Sequence, residues 1–107
     1  MSTGKLFTCI IPDKPGTLEQ RLKVRDQHIS NAKDLNSKGL LVAGGGYADK
    51  HPDEGESFNF KGSIITFRAA SQEDVQKLLD TDIYTTTGVW DLPNAKIYPA
   101  IEAIRKD

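Results

Sequence analysis

Arg21, Arg25 and His28 fall among the apolar residues Leu18, Leu22, Ile29, Ala32 and Leu35, which recur at helical spacing. On a wheel of roughly 100° per residue the two arginines and the histidine share the stripe that should face the core. Charged side chains are costly to bury alone, so this face either meets carboxylates or borders a polar cleft that accepts an anion. Histidine moves protons near neutral pH, and arginine holds carboxylates or phenolates and stabilises enolate-like charge. Together they fit proton abstraction and return by an isomerase or lyase that needs no cofactor. Asp13, just ahead of the helix, is placed to reach back over His28, fix its tautomer and stabilise its cation. Structural readings stand beside these. Arginine stems snorkel from a core edge or pair with Glu19, Asp26 or carboxylates across a dimer, and a lone histidine is often a hydrogen-bonded core residue. Asp13 before Lys-Pro-Gly suits a turn, and Tyr84 and Trp90 either line a pocket, with Tyr84 against substrate, or pack in the core.

Six elements must hold these residues. Residues 6–11 alternate as a strand that is largely apolar on both faces, with Leu6, Thr8 and Ile10 opposite Phe7, Cys9 and Ile11. Pro12 to Gly16 break the pattern, Thr17 is a capping residue, and a helix runs to about Lys38, where Gly39 supplies a left-handed stop. Residues 40–43 form a second strand ending in Gly44-Gly45-Gly46, followed by a polar loop over 47–61 that contains His51. Residues 63–69 make a third strand. Ser71 and Asp74 form a capping box for a second helix with Val75, Leu78 and Leu79 on its buried side. After a turn over 82–88 comes a last strand over 89–98, interrupted at Pro93-Asn94, and then a tail that either holds one helical turn or frays. This order predicts an α+β, ferredoxin-like βαββαβ fold, an antiparallel sheet with both helices on one face. Strands one and three are apolar on both sides, so a second copy should cover the free face, which predicts a homodimer.

The chain's size and charge narrow the classes further. Its 107 residues allow one domain and one modest core. With 14 basic and 15 acidic residues no basic surface for nucleic acid or anionic lipid is expected. No apolar run is long enough to span a bilayer and Met1 to Lys5 lack the core of a signal peptide, so a cytoplasmic protein is expected. Cys9, the single cysteine, reads as a buried, inert thiol. His28 and His51 lie far apart with no cysteine cluster, so no metal site is expected. Gly44-Gly45-Gly46 lacks the spacing of the nucleotide-binding glycine motifs.

Residues 12–28, PDKPGTLEQRLKVRDQH, resemble the start of a YciI-related (YCII domain) protein, where an Asp ends strand one and R-L-x-V-R-x-x-H follows on the helix. The likeness continues through residues 39–44 and 60–63, and from Asp82-Ile83-Tyr84 to Gly88-Val89-Trp90, covering nearly the whole chain. It implies ferredoxin-like subunits paired in a dimeric α+β barrel, with a His and Asp pair in a cleft that maps onto His28 and Asp13. Most members of that family have no assigned reaction. The wider superfamily includes muconolactone isomerases and a dehydrochlorinase of chlorinated hydroquinones. The expected function is a small acid–base enzyme of isomerase or lyase type acting on a small anionic molecule, with Arg21, Arg25 and Tyr84 binding it. The alternative is a non-catalytic ligand-binding or interaction module that uses the same cleft. The chain departs from the family pattern at Gly44-Gly45-Gly46 in place of Gly-Pro, at Asp82-Ile83-Tyr84 in place of Asp-Pro-Tyr, and by two extra residues near Pro93-Asn94.

Overall fold

The computed structural model describes residues 4–104. Strand β1 (Lys5–Pro12) lies inside a four-stranded antiparallel sheet, between β3 (Gly62–Ala69) and β4 (Lys96–Ala100), while β2 (Leu41–Tyr47) borders β3 at the far edge. The order β2-β3-β1-β4 places a strand between the two ends of each crossover, the split arrangement of a ferredoxin-like fold. Register is continuous along β1: Cys9 faces Ile65 on one side and Ile97 on the other.

Alternation decides which side is covered. Phe7, Cys9 and Ile11 of β1 and Ser63, Ile65, Phe67 and Ala69 of β3 are buried under the helices. Their neighbours on the other face are not, with Ile10 37%, Ile64 43% and Tyr98 48% exposed. Helix α2 (Gln72–Thr81) contributes Val75 and Leu79 to the covered core, and the short α3 (Ile83–Thr86) contributes Tyr84, with Val89 and Trp90 following it. Ser71 caps α2 by accepting from the Asp74 amide at 3.2 Å, as its spacing predicts. The expected thiol also lies here: Cys9 has no exposed surface, and burial pushes its pKa up to about 11.

The long helix α1 (Leu18–Ser37) departs from the pattern read in its sequence. Leu18 is 38% and Leu22 53% exposed, while Arg21 is the helix's one fully buried residue. The line that meets the sheet is Arg21, Val24, His28, Ala32 and Leu35, so the polar residues occupy the interface in place of the two leucines. Thr17 stands at the helix start but does not cap it: its hydroxyl donates to the Lys14 carbonyl at 2.6 Å. Gly39 takes the left-handed conformation expected of it, with φ of 78°.

Two more boundaries move. Gly44, Gly45 and Gly46 belong to β2, because strand pairing needs only backbone groups and all three have partners on β3. The segment expected as one final strand is divided: Trp90 bridges Asp13, a 3₁₀ turn at Leu92–Asn94 follows, and β4 begins at Lys96. Pro99 and Ala100, assigned above to the tail, extend β4; residues 101–104 are irregular, and the rest of the expected tail lies outside the described residues. Among the described residues no helix is long and apolar enough to cross a membrane.

Candidate active site

The end of β1 is tightly held, and that fixes Asp13. Its amide donates to the Lys61 carbonyl at 2.8 Å, and the Asp91 amide donates to the Pro12 carbonyl at the same distance. From this position Asp13 accepts from Arg21 Nη1 with both oxygens, each at 2.9 Å. Arg21 Nη2 donates to the Ser63 hydroxyl at 3.1 Å, which also accepts from Trp90 Nε1 at 3.1 Å. The guanidinium carbon lies 4.6 Å from the centre of the Phe60 ring and 4.7 Å from that of Tyr84, a cation with aromatic contacts to both. Burial raises the Asp13 carboxyl above its ordinary range, and the charge and hydrogen bonds of Arg21 work against that rise. Arg21 Nε is buried without a hydrogen-bond partner.

His28, two turns further along α1, has a different carboxylate. Its Nδ1 lies 2.9 Å from Asp82 Oδ1, the oxygen that also accepts the Tyr84 amide at 2.8 Å as the cap of α3. The expected His28 and Asp13 pair is therefore not the one formed: Asp13 is engaged by Arg21, and Asp82 serves His28. A carboxylate at Nδ1 requires the proton there, which leaves Nε2 as the nitrogen available to a ligand. The imidazole stacks on the Tyr84 ring at 3.9 Å between centres, with planes 15° apart, and meets Trp90 edge-on at 5.8 Å. Burial pushes the Tyr84 phenol above its ordinary value despite the opposing charges of Arg21 and Arg25, so it is a neutral hydroxyl at pH 7.

A cavity of about 370 Å³ opens between α1 and β2. Arg21, Arg25, His28 and Tyr84 all line it; Asp13 does not. Its charged or titratable lining is Arg21, Arg25, His28, Lys33 and Tyr84, with no carboxylate among the described residues. Arg25 makes no ion pair among the described residues; its guanidinium lies 5.9 Å from the Phe60 ring centre. Gly44, Gly45 and Gly46 give the β2 wall little more than peptide, and a Cβ at Gly46 would run into the Phe60 ring. Trp90 packs in the core with its N–H satisfied, and His51 lies in the outer loop, edge-on to Phe58. Among the described residues no group of three or more His, Cys, Asp or Glu is arranged to hold a metal ion.

Sequence reasoning missed Asp82, Ser63 and Phe60. Asp82 carried a usable local signal, an Asp directly before a helical turn, but nothing local ties it to a histidine 54 residues away. Ser63 and Phe60 fall in the 60–63 segment that resembles the family, but neither residue type marks a site there, since one is an ordinary strand residue and the other closes a polar loop.

The chain is similar to known proteins in sequence and in structure. The chain is 30% identical over 95 residues to fusaric acid biosynthesis protein 2 of Gibberella fujikuroi, covering 89% of this chain and 91% of that protein. It is 31% identical over 98 residues to aspercryptin biosynthesis cluster protein B of Emericella nidulans, covering 91% of this chain and 63% of that longer protein. Its structure is similar to 5-chloro-2-hydroxyhydroquinone dehydrochlorinase of Burkholderia phenoliruptrix, solved with 2,5-dihydroxybenzoquinone. The TM-score is 0.74 with 21% identity, over 92% of this chain and 95% of that one, a likeness of fold alone. The YCII-related domain model matches residues 5–94, the greater part of the sequence, and the chain belongs to that family.

Proposed function

We propose that this protein is an acid–base enzyme of isomerase or lyase type acting on a small anionic organic molecule. The observation that carries the reading is His28, held by Asp82 through Nδ1 on the wall of a cavity whose charges are all cationic. In this scheme Nε2 takes a proton from carbon next to an electron-withdrawing group, and Asp82 stabilises the imidazolium. Arg25, without a carboxylate of its own, faces the negative charge that develops on the substrate. Return of the proton to another carbon completes an isomerisation; loss of an anionic leaving group, with the proton passed to water, completes an elimination. The biosynthesis-cluster relatives and the dehydrochlorinase fold neighbour support small-molecule chemistry.

The test is deuterium incorporation from D₂O, followed by NMR, into a panel of small anionic carbonyl and phenolic acids. Wild type should catalyse exchange in at least one, and His28→Asn should slow it by roughly 10²- to 10⁴-fold while binding persists. A second reading, a binding module without chemistry, is favoured by one observation: among the described residues His28 is the only lining side chain of a type that exchanges protons near neutral pH. Binding without exchange by wild type across the panel would decide for it.

The same proposal includes a homodimer and a cytoplasmic setting. The exposed Ile10, Ile64 and Tyr98 on the uncovered sheet face support packing against a second copy. Sedimentation equilibrium should then give twice the 11.8 kDa chain mass, and a monomer at micromolar concentration would refute the dimer.

A further inference from the structure

Arg25, Ile29 and Lys33 recur every four residues on α1 and all three line the cavity, so its helical rim reads cation, apolar, cation. Eight residues of helix separate the two cations by about 12 Å along the axis. Neither Arg25 nor Lys33 has an ion-pair partner among the described residues, whereas the charge of Arg21 is already met by Asp13. Asn36, at the Lys33 end, gives one amide hydrogen to the Leu41 carbonyl at 2.8 Å, and Lys33 is the cation at that end. Between the charged ends the walls are Ile29, Ala32 and Ile65 against the peptide of Gly44. The volume of about 370 Å³ falls in the range of sites for drug-sized ligands.

From this layout we infer that the cavity takes an elongated dianion with an apolar middle, one anionic end on Arg25 beside His28 and the other on Lys33. The inference rests on the anion-binding reading above and makes Lys33 the residue that selects for the second charge. A monoanion of the same length fills the apolar middle and leaves Lys33 unmatched. A short dianion cannot reach both ends.

Isothermal titration with suberate, octanoate and succinate tests this, because the first two share a carbon count and the first and third share a charge. Suberate should bind wild type roughly 5-fold or more tightly than either, the upper range for an exposed charge pair. Lys33→Met should lower suberate to the level of octanoate and leave octanoate unchanged, whereas Arg25→Met should weaken both. Both substitutions replace exposed side chains of α1, and circular dichroism checks that the fold persists. Equal affinity for suberate and octanoate, or a Lys33→Met variant that weakens both alike, overturns the two-ended ligand while anion binding stands. No binding of any of the three overturns the inference and the anion-site reading together.

Discussion

Asp13 grips Arg21 with both oxygens at 2.9 Å where the two side chains are 6% and 4% exposed; Asp82 meets His28 through one oxygen at the same distance where they are 15% and 14% exposed. The contact lengths match, but the surroundings do not. Around Arg21 stand Phe60, Tyr84 and the Ser63 hydroxyl, so that although Arg21 touches the cavity its carboxylate partner is sealed away from it, and burial works against the Asp13 charge even as the arginine supports it. Around His28 one side is Tyr84 and the other is the cavity. A sealed ion pair is fixed in charge and serves as architecture, because losing either member strands the other. A pair at a cavity wall has one nitrogen free to trade a proton. Two pairs anchored on one helix thus differ in their surroundings, and in the proposed function the deeper one gives support while the one at the cavity carries the chemistry.

The two pairs should differ most at Asp13. Asp13→Ala leaves a buried guanidinium without its counter-charge and should cost about 3 to 5 kcal/mol in urea unfolding. A loss under about 1 kcal/mol, the worth of an exposed pair, would mean that the Arg21 site is wet and not sealed. Next in size, Ser63→Ala removes the acceptor shared by Arg21 and Trp90 and should lower stability by about 1 to 3 kcal/mol, read from the same transition. Smallest in stability is Asp82→Asn, which keeps an oxygen to cap α3 and should cost less than about 1 kcal/mol. The same variant removes the charge behind His28, so the deuterium exchange described above should fall far more than the stability. If Asp82→Asn unfolds as readily as Asp13→Ala, the two pairs do not differ in role.

Local pattern carried most of the fold. Alternation marks β1 and β3, the Ser71 capping box starts α2, and Gly39 ends α1 with the positive φ its position requires. The pairing of carboxylates was less legible, because which aspartate reaches which helix residue depends on how β1 and α3 stand against α1. Asp13 is eight residues from Arg21 and Asp82 is 54 from His28, so nearness in sequence favoured the wrong aspartate for the histidine. Helical periodicity also misassigned Leu18 and Leu22, since the first turns of α1 meet the polar cluster of Asp13 and Ser63 instead of apolar core. The histidine and both arginines were found because they interrupt an apolar stripe, and all three line the cavity.

The peptide wall of β2 has a consequence for how binding preference can change in such a scaffold. A side chain at Gly46 is barred by Phe60, but a Cβ at Gly44 would sit at ordinary contact distance, 3.6 Å, from Ile65 on the face that looks toward the cavity. One position of that wall is locked, therefore, and another is vacant. Ligands of different length or girth can be accommodated by growing a residue at 44 or by exchanging 29 and 33 on the opposite rim. None of these positions belongs to the Asp13, Arg21 and Ser63 cluster or to the His28 and Asp82 pair, so under the proposed function the choice of ligand and the chemistry can be altered separately.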